Sequence, residues 1–221
     1  MQPNNIDAFI FDMDGVIFDS ENLYITCCVE AAEPLGMENI VETCYRCIGV
    51  TVGITRGILV ETYGDEELVD RFRKDAAERF MDKFRRGLLE MKPGVRELLA
   101  FLKERHYKTA IASSTSTSYV ETELGGAGIR PYFDHVVGGE QVSRSKPNPD
   151  IFLRAAELLG TAPERCAVIE DSFNGIRAAK AAGMTAVMVP DLLQPDDEIR
   201  ALADEVLPSL LAVRDRIAEQ T

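Results

Sequence analysis

The chain has 221 residues, of which 46% are hydrophobic, and a formal net charge of −13. That length and apolar content suit one domain of ordinary size plus a smaller insert, with a packed core rather than disorder. No apolar run is long enough to span a bilayer and no basic segment precedes an apolar one at the start, so a cytoplasmic protein is expected; the acidic charge disfavours nucleic acid and anionic membrane as partners.

Residues 6–11 form an apolar run in which only Asp7 is charged, which reads as a buried strand of a parallel sheet. Asp12 and Asp14 follow at its carboxyl end, two apart and therefore on the same side of an extended chain. Gly15 then lets the backbone turn away sharply. Two carboxylates this close raise each other's proton affinity unless a cation sits between them.

Residues 21–87 hold no convincing strand. Apolar positions recur at helical spacing over residues 69–84, and Gly36, Gly64 and the glycine-rich 49–57 stretch divide the segment into three or four helices. A single crossover between parallel strands needs far fewer residues, so a helical insert is expected, with residues 1–20 and 88–221 forming the main domain. The loop over residues 49–56 is expected to help select the substrate. Four of the five cysteines, Cys27, Cys28, Cys44 and Cys47, fall in the insert, and Cys166 lies beyond it. A zinc site from the four lacks the turn residues such sites use, and reduced apolar fillers are the better reading. His106 and His135 accompany no nucleophile, which disfavours a Ser-His-Asp hydrolase.

From residue 93 the chain alternates. A helix with Val95, Leu98, Leu99 and Leu102 on one face leads to a strand over residues 107–112, which ends in Ser113, Ser114 and Thr115. A short strand begins at His135. Residues 145–150, with Lys146 between Ser145 and Pro147, open another helix. Residues 166–169 run as a strand into Glu170 and Asp171, a helix follows to Gly183, and a fifth strand over residues 185–189 precedes two last helices. Strand–helix alternation of this kind specifies a doubly wound parallel α/β sheet.

The run Phe11-Asp12-Met13-Asp14-Gly15-Val16-Ile17-Phe18-Asp19-Ser20 resembles the first motif of the haloacid dehalogenase-like superfamily, in its phosphatase and phosphomutase branch. The hydroxyls after the second strand, the lone Lys146 and the acidic pair Glu170-Asp171 follow in the order that the resemblance requires. It implies a Rossmann-like core with strand order five-four-one-two-three and a helical cap over the crevice. It also implies phosphoryl transfer through an aspartyl phosphate. Asp12 is then the nucleophile and Asp14 the acid and base, with the raised proton affinity on Asp14 while Asp12 stays ionised. Mg²⁺ is held by Asp12, the Asp14 carbonyl and Asp171, with Glu170 a ligand through water or a supporting partner. The phosphate is met by Ser113, Lys146 and the backbone amides of Gly15 and Ser114.

The expected function is magnesium-dependent hydrolysis of a small phosphorylated metabolite, a sugar phosphate, by a monomer. A β-phosphoglucomutase-like enzyme shares these motifs. In that family a His follows the first motif and an Arg sits in the cap loop, where this chain has Tyr24 and Val52, although Arg56 lies close by. A non-catalytic binding protein on the same fold is disfavoured because every motif residue is intact. The second acid and the acidic pair argue against dehalogenation, and the lack of a lysine in residues 21–28 against phosphonate cleavage.

Overall fold

The computed structural model describes residues 6–48 and 52–219. Two compact units make up the chain: Met1–Phe18 with Met91–Thr221, and Asp19–Glu90. Strand β1 (Ala8–Phe11) belongs to the first. Four α-helices follow in the second: α1 (Ser20–Ala32), α2 (Ile40–Arg46), α3 (Val52–Tyr63) and α4 (Glu66–Arg85). The first unit resumes with α5 (Val95–Glu104), β2 (Lys108–Ala112), α6 (Thr117–Gly126), β3 (His135–Val137) and α7 (Asp150–Leu159). It closes with β4 (Cys166–Glu170), α8 (Phe173–Ala181), β5 (Thr185–Met188), α9 (Asp197–Leu202), β6 (Glu205–Val206) and α10 (Leu210–Ala218). No helix among the described residues is long and apolar enough to cross a membrane.

The strands form one parallel sheet in the order β3-β2-β1-β4-β5-β6. This is the expected order with one strand added at the edge beyond β5. Two residues are too short to show a period in sequence. What places β6 is Asp204, whose carboxylate accepts from the Ala186 amide at 2.7 Å and from Lys180, while the Leu207 amide donates to the Met188 carbonyl at 2.8 Å.

Every residue of β1 is buried, as a strand with neighbours on both sides requires. Alternation sends Ala8 and Ile10 to one face, where they join Phe152, Ala155, Ile176 and Ala179 of α7 and α8 in a continuous apolar cluster. Phe9 and Phe11 turn to the other, where their rings meet Tyr107 and Phe133 edge-on at 5.1 and 5.9 Å. Each buried Phe or Ile among these contributes about 1.5–3 kcal/mol by leaving water.

The second unit has its own core, built by Cys28, Ala31, Met37, Leu59, Val69, Phe72 and Ala76. In α4 the buried positions Val69, Phe72 and Ala76 recur at helical spacing, and the Asp65 carboxylate caps the helix by accepting from the Leu68 amide at 3.0 Å. The stretch read as a loop over residues 49–56 is helical from Val52 onward, because α3 begins there; residues 49–51 lie outside the described residues. Lys146 likewise sits in a turn ahead of its helix, which starts at Asp150.

Candidate active site

Register brings the chemistry together. Phe11 pairs with Ile111 on β2 and with Ile169 on β4, so all three strands finish at one level. The Asp12 amide continues the ladder by donating to the Ile169 carbonyl at 3.0 Å, and the Ser113 amide donates to the Val137 carbonyl at 3.0 Å. Asp12, Ser113 and Glu170 are therefore set by backbone hydrogen bonds, at the carboxyl ends of adjacent strands where the sheet order reverses.

Lys146 ties these ends together. Its ammonium donates to Asp12 Oδ1 at 2.6 Å, to Glu170 Oε1 at 2.8 Å and to the Ala112 carbonyl at 3.2 Å. It also lies 4.9 Å from the centre of the Phe152 ring, an apolar floor that keeps water away. All three charged side chains are nearly covered, with 8% of Lys146, 10% of Asp12 and 1% of Glu170 exposed. Burial pulls the Lys146 pKa down, but the Asp12 and Glu170 carboxylates more than reverse this and keep it protonated.

One cation thus faces two buried carboxylates, and Asp12 bears the imbalance. Burial pushes its carboxyl up to about 7; Lys146 opposes the rise, and Glu170 and Asp14 add to it. This raised proton affinity departs from the expectation that Asp12 stays ionised, and its cause is depth, since Asp12 is buried.

Asp12, Glu170 and Asp171 offer carboxylate oxygens that lie within 4.8 Å of one another. Hard oxygen donors at this spacing fit a magnesium ion. The loops around them leave no slack. Gly15 has φ +75°, and a Cβ there would lie 2.2 Å from Asp171 Oδ2. A Cβ at Gly175 would lie 1.8 Å from Glu170 Oε1. The Gly15 amide donates to the Phe18 carbonyl at 2.9 Å, so the donor expected to meet phosphate is engaged within its own turn; what Gly15 supplies here is room. Both oxygens of Glu170 are in use, because Oε2 accepts from the Ser172 amide at 2.6 Å while Oε1 accepts from Lys146 at 2.8 Å. Its carboxylate thereby orients the lysine.

On the β2 side, Ser113 is wholly buried and its Oγ accepts from the Thr115 amide at 3.0 Å, which leaves its own proton to donate elsewhere. Thr115 Oγ1 donates to Asp14 Oδ2 at 3.1 Å and so fixes the second acid. Ser114 is held by close packing, since a Cβ on Gly139 would come 2.3 Å from its carbonyl oxygen. Glu123, on α6, is a buried carboxyl raised to about 7 by burial and then by the charge of Asp14. Thr115 and Glu123 are absent from the residues expected from sequence. For Thr115 the signal was present, two residues after Ser113 and so on the same side; for Glu123 only its place between the buried Val120 and Leu124 hinted at it.

A sequence profile of the haloacid dehalogenase-like hydrolases matches residues 9–189. The chain is 37% identical over 182 residues to the phosphorylated carbohydrates phosphatase of Thermotoga maritima, covering 82% of this chain and 84% of that protein. It superposes on the crystal structure of a HAD family hydrolase from Deinococcus radiodurans with bound phosphate and sodium, with TM-score 0.81, 28% identity and coverage of 98% and 96%. The crystal structure of β-phosphoglucomutase from Clostridium difficile gives TM-score 0.70 and 25% identity, with coverage of 97% and 98%.

Proposed function

Because the chain belongs to the haloacid dehalogenase-like hydrolase family, we propose that it is a magnesium-dependent phosphatase that hydrolyses a small phosphorylated carbohydrate through an aspartyl phosphate on Asp12. The carrying observation is the bridge of Lys146 between Asp12 and Glu170 at the ends of β1 and β4, with Asp171 converging on the same point.

Asp12 attacks phosphorus in line and Asp14 protonates the departing alkoxide. Thr115 holds Asp14 through Oδ2, which leaves Oδ1 to carry the proton. Asp14 then takes a proton from the water that cleaves the acyl phosphate. Lys146 stands beside the nucleophile and offsets charge that spreads over the phosphoryl oxygens. The Ser113 hydroxyl and the Ser114 amide bind a phosphoryl oxygen and hold it for in-line attack. Asp12, Asp171 and the Asp14 carbonyl would hold the magnesium ion, which would supply positive charge for the phosphate oxygens and keep Asp12 ionised below its metal-free pKa.

Hydrolysis is favoured over mutase chemistry by the state of Arg56. It donates to Asp70 at 2.8 Å and 2.9 Å and to Glu66 at 2.9 Å, so the cap cation nearest to a role in binding a second phosphate already serves two carboxylates. The test measures phosphate release from a panel of sugar and polyol phosphates, with magnesium and with a chelator. Release that stops on chelation and in Asp12→Asn is expected; release indifferent to both contradicts the reading. With β-glucose 1-phosphate and a trace of the bisphosphate, glucose 6-phosphate appearing faster than free phosphate would assign a mutase instead.

A further inference from the structure

Asp191 follows the last residue of β5 by three positions and has no part in the chemistry set out above. β5 pairs with β4, Met188 opposite Glu170, and the Val189 amide continues the ladder by donating to the Glu170 carbonyl at 2.8 Å. Asp191 therefore stands at the same end of the sheet as Glu170 and Asp171. One of its carboxylate oxygens lies within 4.8 Å of an Asp171 carboxylate oxygen.

The two oxygens of Asp191 are used differently. Oδ1 accepts from the Lys92 ammonium, and the Lys92 amide donates to the Ile17 carbonyl at 2.9 Å, in the turn that follows Asp14. This ion pair fixes where the carboxylate sits. Oδ2 is buried with no hydrogen-bond partner among the described residues, on a side chain that is only 8% exposed. A buried carboxylate oxygen without a donor is costly, and the pairing with Lys92 explains only its neighbour.

We propose that Asp191 is a positioning residue for the magnesium site, its Oδ2 accepting from a water that the cation holds beside Asp171. This rests on the magnesium-dependent reading given above. A magnesium ion bound by one or two carboxylates keeps several of its waters, and those waters need acceptors. Groups that receive them orient the site and strengthen its hold on the metal. With Oδ1 committed to Lys92, Asp191 offers a single fixed oxygen, which suits a water rather than the ion itself.

The experiment titrates magnesium into the metal-free, full-length protein by calorimetry, for the wild type, Asp191→Asn and Asp171→Asn, and follows urea unfolding of each in chelator. Asp191→Asn is expected to weaken magnesium binding by about tenfold or more with its circular dichroism spectrum retained, and Asp171→Asn to weaken it further. A role confined to the Lys92 pair would move the unfolding midpoint and leave the affinity unchanged, which would overturn the proposal while the magnesium reading stands. A wild type that binds no magnesium, or an Asp171→Asn protein that binds it equally well, would instead remove the magnesium reading and this proposal with it. A crystal of the wild type grown in magnesium gives a second readout that needs no variant. It should show a water on the ion within hydrogen-bond distance of Asp191 Oδ2; direct ligation by Asp191, or an Oδ2 turned away from the ion, would overturn the proposal.

Discussion

Lys146 and Arg56 each grip two carboxylates at closely similar distances, one at the end of the sheet and one in the helical unit. Lys146 reaches Asp12 at 2.6 Å and Glu170 at 2.8 Å; Arg56 reaches Asp70 at 2.8 Å and Glu66 at 2.9 Å. Their surroundings differ. At the sheet end the cation is 8% exposed, whereas Arg56 is 35% exposed and its partners more than half. In water such a pair contributes little, because solvent screens it and two side chains must be ordered to make it. Out of water, removing one member leaves an uncompensated buried charge. The same arrangement is surface decoration in one unit and a constraint on proton affinity in the other. Where charges are buried at strand ends, they constrain proton affinity; where they are solvated, the pairing adds little to stability.

The strongest way to sharpen this contrast is to neutralise the buried acid proposed as the nucleophile. Asp12→Asn should lower turnover roughly a thousandfold or more with the circular dichroism spectrum unchanged. Lys146→Met is expected to destabilise the metal-free protein by about 3–5 kcal/mol in urea unfolding, because it strands two buried carboxylates. An effect as small as that of a surface substitution would break the comparison.

The raised proton affinity of Asp12 gives a pH signature of definite sign. Its pKa is about 7 in the folded protein against 3.8 when unfolded, so the folded state holds the extra proton between those values. Stability conferred by the protonated form is complete below the unfolded pKa and is lost as pH rises through the folded one. In chelator, Asp12→Asn should therefore be more stable than the wild type at pH 8, by up to about 4 kcal/mol, and lose that advantage toward pH 4. Magnesium should narrow the gap at pH 8 by favouring the ionised wild-type carboxylate. Thermal melts at the two pH values read both effects.

Smaller effects test the fit of the loops. Gly15→Ala should cost about 1–3 kcal/mol, since it forces a Cβ into the Asp171 carboxylate and strains a left-handed residue; weakened magnesium binding by calorimetry should accompany it. Arg56→Gln should leave the unfolding midpoint where it was.

Much of this was legible in the sequence because each piece has a local cause. The first strand is apolar throughout, its two acids stand two apart, and the strands alternate with helices. The parallel α/β class follows from those features, while the sheet order came only with the family resemblance carried by the motif residues. What sequence could not show was depth and occupancy. Nothing in the spacing of Asp12 and Asp14 says that the first lies deeper, yet burial is what raises the proton affinity of Asp12. The Gly15 amide reads as a free donor until the turn closes and gives it the Phe18 carbonyl. β6 was illegible for a different reason, since two residues carry no period and a single buried side-chain acceptor at Asp204 holds the edge. Residues 52–56 looked like a loop because Gly49, Gly53 and Gly57 punctuate the surrounding stretch, but they form the first turn of α3.

The most direct test of the central claim is to trap the intermediate. Quenching the enzyme with acid during turnover and reducing it with borohydride converts an aspartyl phosphate to homoserine. Peptide mapping should place homoserine at position 12 in the wild type and nowhere in Asp12→Asn. Steady phosphate release from the wild type with no homoserine at position 12, or with homoserine at another acid, would contradict the account.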